Sequence, residues 1–412
     1  MSTTTSKSGG VLPALTSIRF LAALTVVLSH FTELGLLNLP KWFFNFVDGG
    51  RPAVSLFFVL SGFILTYTYR KAIGTEGPAR FYVARFARIY PVVLLSLGLS
   101  GLVTAYLLNG GDSSLMLEWY ALKSSVYISL AVSLICQLLL LNAWFPFAAI
   151  NQPWNGPSWS ISCEAFFYAL FPLLLRRLEA VRVRTLFFVC AGLWILQGLW
   201  IVFLQHALPA SRHGFLVAEF PVTHLFEFIV GICAAIKFDE LRSRGTSLHA
   251  HGVALISVAL VAIVVLATWR PITPAYYLES PFFAALILGL VLLERPVIGL
   301  LNQRWLVRLG EASYCLYLIH VPLAHLAFIA GFRQSNGWIA MLFAICLSVV
   351  IFQYFEEPMR RRIRARLSTI APSSRPAATL HDRAAYFCRV AGERGLLTAL
   401  PATRNMPECR HC

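Results

Sequence analysis

Two ionisable residues, Arg19 and His30, lie within one apolar stretch, LTSIRFLAALTVVLSHF, near the start of the chain. On an α-helix, their separation returns the two side chains to within about 20° of the same face, about 16 Å apart along the axis. Ionisable groups in such a stretch are costly and therefore candidates for function. An imidazole can take a proton from a hydroxyl, and a guanidinium can hold an anion. The alternative is that Arg19 reaches membrane headgroups and His30 only caps the helix.

A second pair of basic residues lies in the segment RFYVARFARIYP. Arg85 and Arg88 are three positions apart, so they are neighbours on one face of a helix. Two adjacent guanidinium groups suit the geometry of phosphate. The alternative is an anchor at a membrane surface, with Tyr82 and Tyr90 in the interfacial belt of aromatic residues.

A carboxyl group and a polar stripe occupy two further apolar segments. Glu164, in PSWSISCEAFFYALFP, needs a partner because a buried charge without one is costly. It could orient an imidazole or contact a hydroxylated substrate, or it could be a structural hydrogen-bonding group. In LGEASYCLYLIHVP, Ser313, Tyr317 and His320 follow helical spacing. A single buried histidine is more often structural than catalytic, so His320 is a secondary candidate.

One more acidic and basic pair occurs in the segment FPVTHLFEFIVG. His224 and Glu227 are three positions apart, which makes them neighbours on a helix. We expect them to pair with each other for structural reasons.

The composition defines the environment that must position these residues. The chain has 412 residues, of which 58% are hydrophobic and 13% charged, and its mean hydropathy is +0.70. A water-soluble domain of this composition could not cover its surface with polar groups. Apolar stretches of about 17–22 residues recur, long enough for a hydrocarbon core about 30 Å thick. The sequence therefore predicts an integral membrane protein and excludes soluble enzymes, disordered scaffolds and secreted disulfide proteins.

The net charge of +15 is explained by membrane topology and does not indicate nucleic acid as a partner. Basic residues gather after the second, fifth, seventh, ninth and last of eleven apolar windows, and the positive-inside rule places all five groups in the cytoplasm. The windows are 11–31, 52–70, 90–108, 124–147, 158–175, 184–204, 220–237, 252–269, 279–294, 312–331 and 338–356.

These five groups require an even number of crossings between the second and fifth windows. One window there should therefore not span the membrane. The region 142–165 is the best candidate, because prolines and Glu164 interrupt it. The prediction is an all-α, polytopic transmembrane helix bundle with about ten spans, one broken or re-entrant element, and both termini in the cytoplasm.

A single membrane domain is expected over 11–366, between a cytoplasmic tail over 1–10 and a cytoplasmic, disordered tail over 367–412. A cleaved signal peptide is not expected, since the first apolar stretch is long and contains Arg19. No metal site is expected either. The cysteines lack a four-ligand zinc spacing, and the terminal segment Cys409–Cys412 offers only three soft ligands.

Together these segments resemble the acyltransferase 3 family of membrane-bound O-acyltransferases. The resemblance covers about residues 12–366, and its motifs follow the family's order. They are the Arg19–His30 pair, SLFFVLSGFIL (55–65), RFYVARFARIYP (80–91), WSISCEAFFY (159–168), LGEASYCLYLIHVPL (309–323) and FEEPMRR (355–361). Ser55 and Ala165 stand where many members have acidic residues.

The resemblance implies transfer of an acyl group, usually acetyl, from cytoplasmic acyl-CoA to a hydroxyl of a cell-surface or lipid-linked glycan. The common acceptors are surface polysaccharides and lipopolysaccharide, and the setting is the bacterial cytoplasmic membrane. The family's essential histidine corresponds to His30, its first-helix arginine to Arg19, and its paired arginines to Arg85 and Arg88. Acyl-CoA is then a substrate, and no permanently bound cofactor is expected.

Residues and resemblance together predict one mechanism. Arg85 and Arg88 would hold the phosphates of coenzyme A. The pantetheine arm would pass Arg19 in a tunnel shared with His30. His30 would act as general base on the acceptor hydroxyl, and an acyl-histidine intermediate is the other mechanism that the residues permit.

The remaining candidates have less defined roles. Glu164 is assigned to catalysis, and Ser61, Tyr317 and His320 are assigned to substrate binding. Ser61 and Tyr317 are also the candidate donors to an oxyanion.

Two alternatives remain open at this stage. A proton-coupled transporter or flippase could use His30, Glu164 and His320 as a proton relay, and it would not depend on acyl-CoA. An acyltransferase could instead modify a small hydrophobic metabolite. Label transferred from acetyl-CoA would separate the first alternative from an enzyme, and mass spectrometry of surface polysaccharide would separate the second from a glycan acyltransferase.

Overall fold

The structure is a computed structural model that describes residues 12–47, 50–110, 113–122, 124–243, 248–269, 275–293 and 299–368. Within these ranges the chain is helical and has no strand, which confirms the all-α class. The tail predicted over 1–10, nearly all of the tail predicted over 367–412, and the terminal cysteines lie outside the described residues.

The helices, in chain order, are α1 (Pro13–Glu33), α2 (Lys41–Val47), α3 (Arg51–Glu76), α4 (Ala79–Leu108), α5 (Ser113–Tyr120), α6 (Val126–Leu138), α7 (Ala148–Asn151), α8 (Trp159–Glu179), α9 (Val183–Ala207), α10 (Ala210–Ala218), α11 (Leu225–Ser243), α12 (His249–Trp269), α13 (Ala275–Leu292), α14 (Arg304–Ile329), α15 (Gly337–Ile351) and α16 (Glu357–Ser368). A π-helical turn, Phe352–Glu356, joins α15 to α16.

Within the described ranges, eight helical stretches are long and apolar enough to cross a membrane, judged by length and composition. They contain α1, α3, α4, α8, α9, α12, α14 and α15. Large apolar side chains such as Phe187, Val261 and Phe343 are exposed on α9, α12 and α15. Exposed apolar surface on this scale suits contact with lipid. The bundle is therefore membrane-spanning, as the sequence predicts.

Three of the eleven predicted windows correspond to helices outside this set. α6 and α13 are apolar but shorter, and most of α11 is buried by neighbouring helices. Because protein surrounds α11, it can carry the buried Glu227, which lies 3.3 Å from Nδ1 of His224. This contact confirms the predicted structural pair. Eight of the ten predicted crossings thus have a helix of full length, and α11 and α13 correspond to the other two.

The predicted interruption lies between α6 and α8. From Leu139 to Ser158 the chain forms only short helical turns, so the break is confirmed, although residues 159–165 belong to α8. Buried hydroxyls satisfy carbonyls that the break leaves free. Ser133 donates to the carbonyl of Ile150 at 2.6 Å, and Ser162 donates to that of Leu140 at 2.6 Å. Irregular backbone in a membrane protein requires such internal partners.

α1 packs closely along α14. A Cβ atom added at Gly310 would collide with the carbonyl oxygen of Thr16, so the missing side chain is what allows the two backbones to approach. At the same end, the hydroxyl of Ser17 donates to the carbonyl of Leu301 at 2.5 Å. α1 is therefore held against α14 and the segment before it at the level of Thr16 and Ser17.

The ends of several helices that carry basic residues meet at one end of the bundle, which we name the basic end. Arg70 of α3 pairs there with Glu179 of α8 and, at 3.0 Å, with Asp239 of α11. Arg88 of α4 pairs with Glu356 of the π-helical turn. Two arginines of the basic group after the second predicted window thus contact acidic residues near the ends of other helices.

Candidate functional site

A cavity of about 590 Å³ lies toward the end of the bundle opposite the basic end. We name it the histidine cavity, because His30 of α1 and His325 of α14 line it. Tyr317 and the indoles of Trp119 and Trp159 also face it. It is large enough for a small molecule or for part of a larger one.

His30 is paired with a second histidine. Its Nδ1 atom lies 2.8 Å from Nε2 of His320, and the two rings are nearly parallel, with an interplanar angle of 22° and centroids 5.1 Å apart. Nδ1 of His320 lies 2.6 Å from the backbone carbonyl oxygen of Tyr317. His320 is fully buried, whereas His30 is partly open to the cavity.

The sequence of α14 explains why polar groups gather at this level. Pro322 has no N–H, so the carbonyl of Leu318, four residues earlier, loses its helical partner. Asn155, from the interrupted segment, donates its Nδ2 to that carbonyl at 2.8 Å. A hydrogen bond therefore joins the irregular segment to the proline-containing turn of α14, close to the histidine pair.

Tyr317 lines the same cavity, but its hydroxyl is already engaged. It donates to the carbonyl of Pro157 at 3.2 Å and accepts from Ser160 at 2.8 Å. Tyr317 thus lies beside the histidines, as a substrate-binding residue would. To donate to an oxyanion it would have to leave Pro157.

The histidine cavity also contains charged residues that the sequence did not single out. Glu33, Glu118, Glu219 and Arg51 line it, and Oε2 of Glu219 is buried without a hydrogen-bond partner among the described residues. Burial raises the pKa of the Glu219 carboxyl to about 7, although the nearby Arg51 and His224 lower the pKa. These positions come from four separate elements, so no motif marks them.

A second, smaller cavity of about 80 Å³ lies nearer the basic end. We name it the arginine cavity, because Arg19, Arg85 and Arg88 line it. Glu164 and Ser61 line it as well. The hydroxyl of Tyr168, one turn after Glu164, donates to that carboxylate at 2.6 Å. Glu164 therefore lies within electrostatic range of the three arginines that line this cavity, and the residue that contacts the imidazole of His30 is His320.

Arg85 and Arg88, the two neighbouring arginines of α4, have different surroundings. Arg88 pairs with the fully buried Glu356, whose other oxygen lies 2.8 Å from Sγ of Cys315. Arg85 donates Nη2 to the hydroxyl of Tyr69 at 2.9 Å, and its Nε atom has no partner among the described residues. Arg85 thus retains free hydrogen-bonding capacity, whereas the charge of Arg88 is already balanced.

Two further arginines approach this region from α16, which packs against α4. Arg360 lies within electrostatic range of Arg19 and Arg88, and Arg364 lies within range of Arg85. The Nε atoms of Arg360 and Arg364 are buried and unpartnered in the part of the chain described. In the sequence, both belong to the basic group after the last apolar window, which indicates only a side of the membrane. Their four-residue spacing was the signal that could have found them.

Arg19 and His30 line two different cavities, and the tunnel that they are predicted to share stays a prediction. Arg19 lines the arginine cavity and His30 the histidine cavity. Phe57 of α3, which lines the arginine cavity, contacts Tyr317 of α14, which lines the histidine cavity. One aromatic contact thus connects the walls of the two cavities.

The chain is similar to known proteins over most of its length. The profile of a family described as an acyltransferase domain matches residues 12–356. The acyltransferase MdmB of Streptomyces mycarofaciens is 30% identical over 406 residues, covering 90% of this chain and 96% of that protein. Nodulation protein 10 of Rhizobium leguminosarum bv. viciae is 23% identical, covering 86% and 95%.

A third relative is longer than this chain. The peptidoglycan O-acetyltransferase OatA of Listeria monocytogenes is 24% identical over 88% of this chain, which spans only 58% of that protein. No solved structure matches the sequence. The profile match extends over most of the chain and includes the histidine pair, both cavities and the interrupted segment. The chain therefore belongs to the acyltransferase 3 family and is a membrane acyltransferase.

Proposed function

We propose that this protein transfers an acetyl group from acetyl-CoA, bound from the basic end, to a hydroxyl of a glycan held in the histidine cavity. The observation that carries the proposal is the pair of cavities whose lining residues Phe57 and Tyr317 are in contact. One offers guanidinium groups for an anionic donor, and the other offers an imidazole for an acceptor hydroxyl. We further propose that the basic end faces the cytoplasm, where the donor is made.

The donor's phosphates are assigned to arginines that have hydrogen bonds to spare. Arg85, Arg360 and Arg364 each keep a buried Nε without a partner among the described residues. Arg360 also pairs through Nη2 with Glu357, which is 22% exposed, whereas Glu356, the partner of Arg88, is fully buried. Guanidinium forks of this kind suit phosphate oxygens, and a charge-assisted hydrogen bond forms without breaking an existing one. Arg88, which Glu356 neutralises, contributes mainly by holding α4 against the π-helical turn.

The acceptor is assigned to the histidine cavity. Its indoles can pack against a sugar ring, and Glu118, Glu219 and Gln152 can bind sugar hydroxyls. A glycan is also consistent with the peptidoglycan named for one relative. The cavity is partly open, so a longer or lipid-linked acceptor can extend out of it.

The chemical step requires one base and no redox chemistry. His30 removes the proton from the acceptor hydroxyl as its oxygen attacks the thioester carbonyl. The carbon–sulfur bond breaks, the acetyl ester forms, and the proton passes from His30 to the departing thiolate. The products are the acetylated acceptor and coenzyme A. In this proposal the thioester reaches His30 by passing Phe57 and Tyr317, and the reacting carbon lies beside that aromatic contact.

The decisive experiment is transfer of labelled acetyl-CoA by the purified chain in proteoliposomes to a lipid-linked oligosaccharide. His30→Ala should lower turnover by at least about 100-fold, the usual contribution of a general base. His206→Ala, at the exposed end of α9, is the matched control. Retained turnover in His30→Ala would exclude the proposed base. Transport of the oligosaccharide without label transfer would instead indicate the transporter alternative.

The donor assignment has its own test. Arg85→Ala and Arg360→Ala should each raise the KM for acetyl-CoA by about tenfold or more, because each loses a charge-assisted contact. Arg361, adjacent to Arg360 but 77% exposed, provides the matched control. An effect confined to the KM for the acceptor would reassign these arginines to the other substrate.

A further inference from the structure

Beside the proposed base lies a second imidazole that the mechanism above does not use. His320 is fully buried on α14. Its Nδ1 atom lies 2.6 Å from the carbonyl oxygen of Tyr317, its Nε2 atom lies 2.8 Å from Nδ1 of His30, and the backbone of Leu316 also forms a hydrogen bond with the ring. The positions of the protons follow from the chemistry of these partners.

The chain of protons begins at the backbone. A carbonyl oxygen can only accept, so Nδ1 of His320, 2.6 Å from the oxygen of Tyr317, carries the hydrogen. A buried imidazole without a carboxylate partner is stable only as the neutral ring, so Nε2 of His320 is unprotonated and accepts. Nδ1 of His30, 2.8 Å away, must then be the donor. This leaves Nε2 of His30 with a free lone pair.

We propose that His320 is a positioning residue that holds His30 in the tautomer protonated at Nδ1, so that its basic Nε2 atom is presented to the substrates. This inference rests on the proposed role of His30. In Ser-His-Asp enzymes a carboxylate orients the catalytic histidine. Here a neutral imidazole, itself held by a backbone carbonyl, would orient His30 in the same way. The proline-containing turn of α14 fixes the position of the Tyr317 carbonyl, because Asn155 donates a hydrogen bond to the carbonyl of Leu318, the next residue in the chain.

The test compares two substitutions at one position. His320→Gln keeps an oxygen that can accept from Nδ1 of His30, whereas His320→Leu fills the space without an acceptor. In the acetyl-CoA assay, we expect His320→Leu to lower kcat by about 100-fold or more, with unchanged KM for both substrates. The kcat of His320→Gln should be at least about tenfold higher than that of His320→Leu. Equal activity of the two variants would mean that His320 is merely structural.

A second readout does not depend on turnover. In full-length protein labelled with ¹⁵N-histidine, the ring nitrogens of His30 are assigned by difference from His30→Asn. We expect a protonated Nδ1 and an unprotonated Nε2 in the wild-type protein and in His320→Gln, and a loss of this preference in His320→Leu. A wild-type His30 protonated at Nε2, or the same tautomer in all three proteins, would overturn the proposal.

A double substitution separates this inference from the proposed function. If His320 acts only through His30, then His30→Ala combined with His320→Leu should be no less active than His30→Ala alone. An active His30→Ala variant would reject the base itself. An inactive His30→Ala variant together with a fully active His320→Leu variant would reject only the positioning role.

Discussion

The ring of Phe57 meets the ring of Tyr317 edge to face, with centroids 6.0 Å apart and an interplanar angle of 75°. Phe57 lines the arginine cavity and Tyr317 lines the histidine cavity. This contact lies where the donor's acyl group must meet the acceptor if the proposed function is correct. It should therefore control which acyl groups react.

Shortening Phe57 tests this idea. Phe57→Ala creates apolar space next to the thioester, and each additional methylene that it buries is worth about 0.8 kcal/mol. We expect the ratio of propionyl to acetyl transfer to rise by about fourfold. Competition between the two acyl-CoA donors measures the ratio directly, with the lipid-facing Phe203→Ala as control. An unchanged ratio would mean that the acyl group does not pass Phe57.

The buried pair of Arg88 and Glu356 should be important for stability. Glu356→Ala leaves Arg88 charged and without its partner, and removing one member of a buried pair costs about 3–5 kcal/mol. We expect a clear fall in Tm, measured by a thermal-shift assay in detergent. Arg80→Ala breaks an exposed pair with Glu76 and should cost less than about 1 kcal/mol. Equal effects of the two substitutions would contradict the importance of burial.

Glu219 should make stability depend on pH. Burial raises its pKa in the folded protein to about 7, above the ordinary value of 4.5. The folded state thus binds the proton more tightly, so this stabilising contribution is complete below pH 4.5 and is lost as the pH rises through 7. We expect Glu219→Gln to gain Tm relative to the wild-type protein between pH 5 and pH 8. A constant difference across that range would show that the carboxyl is not perturbed.

The close approach of α1 and α14 should be sensitive to a single methyl group. Gly310→Ala places a Cβ on the carbonyl of Thr16, so the helices must separate, and both Tm and turnover should fall. Gly192→Ala, where an added Cβ meets nothing within 4 Å, is the matched control. It should leave turnover unchanged and raise stability by up to about 1 kcal/mol. Similar behaviour of the two variants would show that the helix spacing is not critical.

Much of the fold could be predicted because each span carries its own signal. Length and hydropathy identify the helices, the prolines around Pro153 mark the interruption, and the clustered arginines mark one end of the bundle. α11 and α13 are not among the eight long apolar helices. α11 is buried among other helices, so protein contacts rather than lipid select its residues.

The candidate site was harder to predict because its contacts join distant parts of the chain. His30 and His320 are separated by 290 positions, and their contact depends on how α1 packs against α14. No periodicity within one segment contains that information. For the same reason, Glu164 was a plausible partner for the imidazole until the fold placed it among the arginines of α4.

The bond from Asn155 to the carbonyl of Leu318 also has a consequence for biosynthesis, because its two ends are 163 positions apart. A ribosome adding about 5–20 residues per second needs about 8–33 s to make the intervening chain. During that time the asparagine has left the ribosome but its acceptor does not yet exist. Until α14 has been inserted, the side-chain amide of Asn155 therefore needs another hydrogen-bond partner.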